Sequence, residues 1–120
     1  MGFLLDGKLN HGDKLDLFLR YESTEFRIGR GSYYQGNQYT LNNFVNRKGD
    51  KVSCYGTTKK SIPVDDLEVG DCVEVLAKFA KYVTLRNGDE ITQMNYVNIT
   101  NNKGKKSSCH CLRNLVACIY

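Results

Sequence analysis

Apolar and polar residues alternate with a period of two along most of the chain, whereas the spacing of an amphipathic helix is almost absent. This alternation is typical of strands that bury one face. Residues 15–21 predict the first strand, and the polar residues 22–25 predict a turn. Residues 26–28 predict a second short strand. The glycine-rich, basic and aromatic residues 29–37 predict an exposed loop.

Strand character resumes at residues 38–45, and residues 46–50 contain the Gly and Asp of a hairpin turn. Residues 51–56 predict another strand, with Val52 and Cys54 on its buried side. The residues expected on its outward side are Lys51, Ser53 and Tyr55.

The only proline, Pro63, precedes residues 64–71, for which we expect at most one short helical turn. Gly70 ends that segment. From Cys72 the alternation is again clear, and it predicts a strand over residues 72–80. The residues expected in the core from this strand are Val73, Val75, Ala77 and Phe79.

Residues 86–89 contain an Asn-Gly pair, which is typical of a tight type I′ hairpin turn because both of its central residues need a positive φ. Residues 90–100 predict the returning strand, with a bulge near Asn95 and Tyr96. The residues expected in the core from this strand are Ile91, Val97 and Ile99.

These elements predict an all-β protein: a small OB-fold-like antiparallel β-barrel of five to six strands with at most one short helix. Closure into a barrel removes the exposed edges that such a sheet would otherwise have. We expect residues 1–100 to form the barrel. Residues 101–120 predict a basic linker and an apolar C-terminal segment that docks back on the barrel.

The composition fits one globular domain, since the 120 residues are 41% hydrophobic and 25% charged. No stretch approaches the ~20 apolar residues that span a bilayer, and the N-terminus becomes charged too soon for a signal peptide. We therefore expect a cytoplasmic protein, in the host cytoplasm if it is viral, with no membrane partner. In that reducing compartment the five cysteines favour free thiols or small buried residues over a disulfide scaffold.

The net charge of +4 is unevenly distributed along the chain. Residues 14–60 carry nine basic and four acidic residues, a net +5, whereas residues 61–76 carry five acidic residues and no basic one. Residues 77–106 carry six basic and two acidic residues, a net +4. Such segregation favours an anionic partner on one face, although small soluble proteins often have uneven charge without one.

Residues suited to catalysis or metal binding are few. The two histidines, His11 and His110, lie at opposite ends of the chain, and neither accompanies a nucleophile arrangement, so we expect no enzyme. Cys109, His110, Cys111 and Cys118 include zinc-ligand types, but their spacing departs from the paired knuckles of structural zinc sites. We therefore expect no metal and no cofactor.

Tyrosines interleaved with basic residues are the positive signal, because binders of single-stranded nucleic acid combine a basic groove with stacking aromatic rings. The candidate groups are Tyr33 and Tyr34 beside Arg30; Tyr55 beside Lys51, Lys59 and Lys60; and Tyr82 between Lys78, Lys81 and Arg86. The alternative for each tyrosine is a ring packed on the barrel with a hydrated hydroxyl.

Several segments, in their order and spacing, resemble bacterial and phage single-stranded-DNA-binding proteins, most closely those of lactococcal-type phages. The resemblance covers residues 38–100, about half of the chain. It is carried by Thr40-Leu41-Asn42-Asn43-Phe44-Val45-Asn46-Arg47, Lys51-Val52-Ser53-Cys54-Tyr55-Gly56-Thr57-Thr58-Lys59, Gly70-Asp71-Cys72-Val73-Glu74-Val75-Leu76-Ala77-Lys78, and the segment from Asn87-Gly88-Asp89 to Val97-Asn98-Ile99.

The resemblance implies an oligonucleotide-binding barrel in which Tyr55 is the stacking aromatic before a glycine and Lys51 is its basic neighbour. Ser53 would share their outward face, and Arg47 and Lys48 match basic hairpin residues. Two features of the family are missing: the chain has no Trp, so tyrosines would have to stack, and it lacks the acidic C-terminal tip that recruits partner proteins.

The function that follows is sequence-tolerant binding of single-stranded DNA in phage DNA replication or recombination, by a homo-oligomer with replication or recombination proteins as further partners. Phosphates would be held by Arg47, Lys48, Lys51, Lys78 and Arg86. An RNA-binding OB-type domain and a protein-interaction barrel without nucleic acid are the alternatives.

Overall fold

The computed structural model describes residues 2–28 and 38–105. The strands are β1 (Lys14–Ile28), β2 (Gln38–Val45), β3 (Lys51–Cys54), β4 (Cys72–Thr84) and β5 (Glu90–Asn102), and two 3-10 turns span Leu4–Gly7 and Val64–Asp66. The strands close into a barrel in the order β1-β2-β3-β5-β4. No α-helix occurs in the described residues, so the prediction of a small all-β, OB-like barrel is confirmed.

Strand β1 is shared between both halves of the barrel. Its first half, up to Arg20, pairs with β4, and its second half pairs with β2 as far as Ile28. The predicted turn at residues 22–25 is wrong, because a register shift between Tyr21 and Ser23 lets the strand bend and continue. The expected second short strand at residues 26–28 is therefore the end of β1.

Strands β3 and β5 run parallel, whereas the other four pairs of the barrel are antiparallel. Lys51 lies opposite Ile91, and Cys54 lies opposite Met94. The chain returns between these parallel strands through β4, so the pairing joins segments that are distant in sequence. A simple meander of neighbouring strands does not contain this pair.

The core is formed by the inward positions that alternation predicts for β3 and β4. The prediction for Ile91 of β5 is wrong: it is only partly buried, because Thr92 and Met94 take the inward positions before the bulge. Val52 and Cys54 of β3 are buried, and Ile99 and Val97 of β5 are fully buried. The predicted core residues of β4, namely Val73, Val75, Ala77 and Phe79, are all buried. Burial of the inward face thus accounts for the period of two along β4, whereas in β3 the outward-facing Ser53 is buried as well.

The β4–β5 turn lies where the Asn-Gly pair predicts a hairpin, but its geometry differs. The Leu85 amide donates to the Asp89 carbonyl, and the Gly88 amide donates to the Leu85 carbonyl. Gly88 has a φ of 90°, whereas Asn87 is not among the residues with positive φ. A type I′ turn needs positive φ at both, so the type I′ prediction is wrong, and Gly88 alone takes the left-handed conformation.

Two predicted segments lie outside the described residues: the loop of residues 29–37, and the C-terminal segment from residue 106 onward. β5 extends to Asn102, two residues past the expected end of the barrel, and the Lys103 amide still donates to the Cys72 carbonyl. Cys72 is fully buried, as expected of a small apolar residue, and it is disulfide-bonded, which corrects the expectation against disulfides. Cys54 is free and buried. In the described part of the chain, no helix has the length and apolarity needed to cross a membrane.

Candidate nucleic-acid interface

Two adjoining depressions on the outer surface share Thr58 and Tyr96 in their linings. We call the first, of about 590 Å³, the lysine pocket; it is lined by Lys14, Leu15, Thr58, Lys59, Lys60, Leu76, Ala77, Lys78, Tyr96 and Asn98. We call the second, of about 500 Å³, the tyrosine pocket; it is lined by Tyr55, Gly56, Thr57, Thr58, Met94, Asn95 and Tyr96. Together they form one groove with an aromatic part and a basic part.

The strand register brings the groove residues together from distant parts of the chain. Lys14 of β1 lies opposite Lys78 of β4, and Lys78 lies opposite Asn95 of β5. The connection after β3 completes the groove, because Thr57 forms a parallel bridge with Val97. This bridge places the following residues, Lys59 and Lys60 among them, beside the same surface.

The lysine pocket is strongly basic. Lys14, Lys59, Lys60 and Lys78 are all exposed, and no acidic residue lines the pocket. Within residues 2–28 and 38–105, none of these four lysines forms an ion pair. Uncompensated positive charge around a concave surface attracts polyanions.

Hydrogen-bonding capacity also remains unused in this lining. Thr58 Oγ1 and Asn98 Oδ1 are buried and have no partner among the described residues. Buried polar atoms in folded proteins are normally paired with protein or ordered water. These two unpaired atoms belong to residues that line the lysine pocket.

Tyr55 supplies the first aromatic surface of the groove. It follows the last residue of β3, and 51% of its surface is exposed. Its hydroxyl accepts a hydrogen bond from Gln93 Nε2 at 3.5 Å, a distance that is long for a hydrogen bond. A partly exposed ring beside a basic pocket can stack on an unpaired base.

Tyr96 supplies a second aromatic surface that the sequence analysis did not include among the site residues. It is 71% exposed, and Lys78 Nζ lies 5.5 Å from its ring centroid. Uninterrupted alternation from Thr92 and Met94 would place residue 96 in the core. The predicted bulge is confirmed here, since the pairing with β4 shifts around Tyr96 and Val97 takes the inward position. The signal for Tyr96 was thus the bulge itself.

Of the predicted site residues, the fold brings Tyr55, Lys59 and Lys78 to this groove. Lys14, Lys60 and Tyr96 join them, although the sequence analysis did not assign Lys14 or Tyr96 to a site. Lys14 is the first residue of β1, and a single basic residue at the start of a strand does not by itself indicate a binding site.

The remaining predicted cations lie at the end of the barrel formed by two turns. Arg47 and Lys48 are exposed in the β2–β3 turn, and Arg86 is exposed in the β4–β5 turn. Lys51 is nearby, opposite Ile91, and the five residues from there to Tyr96 span about 16 Å of strand. These cations therefore form a separate group from the lysine pocket.

Lys51 is engaged within that group. Its Nζ donates to Asp89 Oδ2 at 2.7 Å, and this hydrogen bond raises the pKa of Lys51 and lowers the pKa of Asp89. The predicted phosphate contact of Lys51 would have to compete with this carboxylate. Arg30, Tyr33 and Tyr34 lie outside the described residues.

Two predicted site residues are parts of the barrel's own packing. Ser53 is only 2% exposed, and its hydroxyl donates to Asn43 Oδ1 at 2.8 Å, so the expectation of an outward-facing contact residue is corrected. Its neighbours on the outer face, in register at Asn43 and Gln93, cover it.

Tyr82 likewise has a structural role. Its ring lies 4.5 Å from the rings of both Phe3 and Phe79. Its hydroxyl donates to the Leu4 carbonyl at 2.8 Å and accepts from the Leu9 amide at 2.9 Å. The tyrosine predicted to stack on bases instead ties the N-terminal segment to the barrel.

Metal-ligating residues do not cluster in the described part of the chain, where no group of three His, Cys, Asp or Glu side chains could hold an ion. Cys109, His110, Cys111 and Cys118 lie outside it. Burial raises the pKa of the Cys54 thiol to about 11, which makes it a poor nucleophile at neutral pH.

Comparison of the chain with protein-family models, with curated proteins and with solved structures found no match. The family resemblance described above therefore stays a prediction, and the groove is interpreted from its own chemistry.

Proposed function

We propose that the protein binds single-stranded DNA without sequence preference, and that the groove formed by the lysine and tyrosine pockets is the binding surface. The observation that carries the proposal is the placement of two exposed tyrosines beside four lysines with no lining acid. Phosphates are common to every sequence, and every base has a π face, so this chemistry is tolerant of sequence.

The aromatic surfaces favour a single strand over a duplex. In a duplex the base faces are already stacked on each other, whereas the bases of a single strand can stack on a protein ring. Tyr55 and Tyr96 present such rings at the surface. The lysines alone would attract either form of DNA, so the preference rests on the tyrosines.

The setting that we propose is DNA replication or recombination in a bacteriophage, as the family resemblance implies, with the protein acting as a homo-oligomer that coats exposed strands. The binding role is non-enzymatic. Light scattering coupled to size-exclusion chromatography tests the oligomer independently of DNA binding.

The experiment that tests the binding proposal is a fluorescence-anisotropy titration of labelled oligo-dT and of a duplex of equal length, at low and at moderate salt. We expect the single strand to bind more tightly than the duplex, and its affinity to fall as salt rises because counterions are released. Replacing both Lys59 and Lys60 with Ala should weaken binding and lower the salt slope.

The matched control is Lys8→Ala, because Lys8 is exposed and lines neither pocket. It should bind oligo-dT almost as the wild type does. Absence of oligo-dT binding at low salt would refute the proposal. Tighter binding of oligo-U than of oligo-dT would favour the RNA-binding alternative.

A further inference from the structure

The backbone of Tyr96 adopts a conformation that a tyrosine rarely takes. Its φ is 52°, in the left-handed region, and no glycine, asparagine or aspartate occupies the position. For a bulky residue this is a strained outlier. Such strain persists where the surrounding structure enforces it, and it concentrates at functional sites.

The strain comes from the bulge in β5. Between the pairs of Lys78 with Asn95 and of Leu76 with Asn98, three residue steps on β5 face two on β4. The extra residue turns Tyr96 outward and lets Val97 fill the core. A glycine or asparagine would satisfy the same backbone with less strain, so the fold alone does not require a tyrosine here.

The ring gains little from the protein in return. It is 71% exposed, and it makes a cation–π contact with the ammonium of Lys78, which lies 5.5 Å from the ring centroid. A cation–π contact at an exposed site is weak and does not exceed the strain. The position of Tyr96 between the two pockets is where the ring would meet a ligand.

We infer that Tyr96 is a second base-stacking residue. A strained β-bulge presents its ring to the DNA strand, and the strain is present in the free protein. This inference rests on the proposed function. It assigns one base to Tyr55 and another to Tyr96, with the neighbouring phosphate held by Lys78.

The test compares three substitutions. Tyr96→Phe keeps the ring, Tyr96→Asn removes the ring and tolerates the left-handed backbone, and Tyr96→Leu removes the ring and keeps the strain. We expect Tyr96→Phe to bind oligo-dT as the wild type does. We expect the Asn and Leu variants each to lose about fivefold or more in affinity, the lower end of the range for stacking of one base on a ring.

Thermal unfolding separates the strain from the stacking. Tyr96→Asn should raise the melting temperature by about 2–4 °C, because the relieved strain outweighs the lost contact with Lys78. Tyr96→Leu should lower it slightly, because the strain stays and the contact with Lys78 is lost. Binding thus follows the ring, whereas stability follows the tolerance for positive φ.

Binding to a DNA strand of equal length that contains abasic sites distinguishes base stacking from a merely structural role of Tyr96. The Asn variant should bind the abasic strand as the wild type does, because only base stacking is lost. If the wild type binds oligo-dT and Tyr96→Asn binds it equally well, the inference is overturned and the proposed function stands. A lower melting temperature of the Asn variant would also overturn it, and failure of the wild type to bind oligo-dT would overturn both.

Discussion

Lys14 of β1 and Lys78 of β4 lie directly opposite each other on the outer surface of the barrel. Both are exposed, and neither has a carboxylate partner in the part of the chain that the structure describes. Like charges that face each other across two strands are destabilising by some tenths of a kcal/mol, up to about 1 kcal/mol. A bound phosphate would neutralise this repulsion, so phosphate binding at this pair would stabilise the barrel.

Reversing one of these charges should therefore separate binding from stability. Lys78→Glu creates an opposite-charge pair with Lys14, which offsets the lost contact with Tyr96. We expect the free energy of unfolding in urea to stay within about 0.5 kcal/mol of the wild type or to rise. Affinity for oligo-dT should fall at least tenfold. Lys8→Glu is the matched control, and a variant that binds as the wild type does would remove Lys78 from the interface.

Tyr82→Phe should destabilise the protein and leave DNA binding intact. The substitution removes a hydroxyl that serves both the Leu4 carbonyl and the Leu9 amide, and it leaves these groups without that partner. We expect a loss of about 1–3 kcal/mol in urea unfolding. Tyr96→Phe is the control, because the hydroxyl removed there lies on an exposed side chain. Weaker oligo-dT binding by folded Tyr82→Phe would return Tyr82 to the list of contact residues.

The Lys51–Asp89 pair should make stability depend on pH in a defined direction. The pKa of Asp89 is lowered in the folded protein, so its contribution is present above the ordinary carboxyl range and is lost as the pH falls through the folded pKa. The pKa of Lys51 is raised, so its contribution is lost only at high pH, as the pH rises past 10.5.

The variant Asp89→Asn tests this dependence. The difference in urea midpoint between the wild type and Asp89→Asn should be small near neutral pH and should shrink between about pH 5 and about pH 2. A difference that grows on acidification would contradict the assignment of the lowered pKa to this pair.

Cys54 should resist alkylation in the folded protein. With a pKa of about 11, its thiolate fraction at pH 8 is roughly one in a thousand, and the side chain is buried. Iodoacetamide labelling followed by peptide mass mapping should leave Cys54 unmodified until urea unfolds the barrel. Mapping each peptide separately keeps the other cysteines from obscuring the result. Rapid native labelling of Cys54 would indicate that this part of the core opens easily.

Alternation was sufficient for the parts of the fold in which one face of a strand is buried along its length. It placed Val52 and Cys54 inward, and it located the hairpin turns and the bulge near Tyr96. It failed at residues 22–25, because four polar residues interrupt a pattern without breaking the hydrogen bonds of a bent strand. Polarity reports exposure, and an exposed part of a strand is still a strand.

The groove was less predictable than the fold, because it depends on which strands pair with each other, and the alternation of apolar and polar residues does not reveal those pairings. The facing of Lys14 and Lys78 follows from barrel closure, and the nearness of Tyr55 to Tyr96 follows from the parallel pairing of β3 with β5. The role of Tyr82 was hidden for a similar reason. Its partners, the backbone groups of Leu4 and Leu9, lie more than 70 positions away in sequence.

The parallel seam between β3 and β5 also constrains the order in which the protein can fold. On a ribosome β1, β2 and β3 emerge first and can pair as an open sheet, but one side of β3 must wait for a strand that begins at Glu90. β1 must likewise wait for β4 before the sheet closes. Pairings of such long sequence separation slow folding, because the intervening chain loses conformational entropy before the contacts between the strands stabilise the fold. The nascent chain therefore exposes apolar strand faces until nearly all of the barrel has been synthesised, which is the period when it is most prone to aggregate or to need a chaperone.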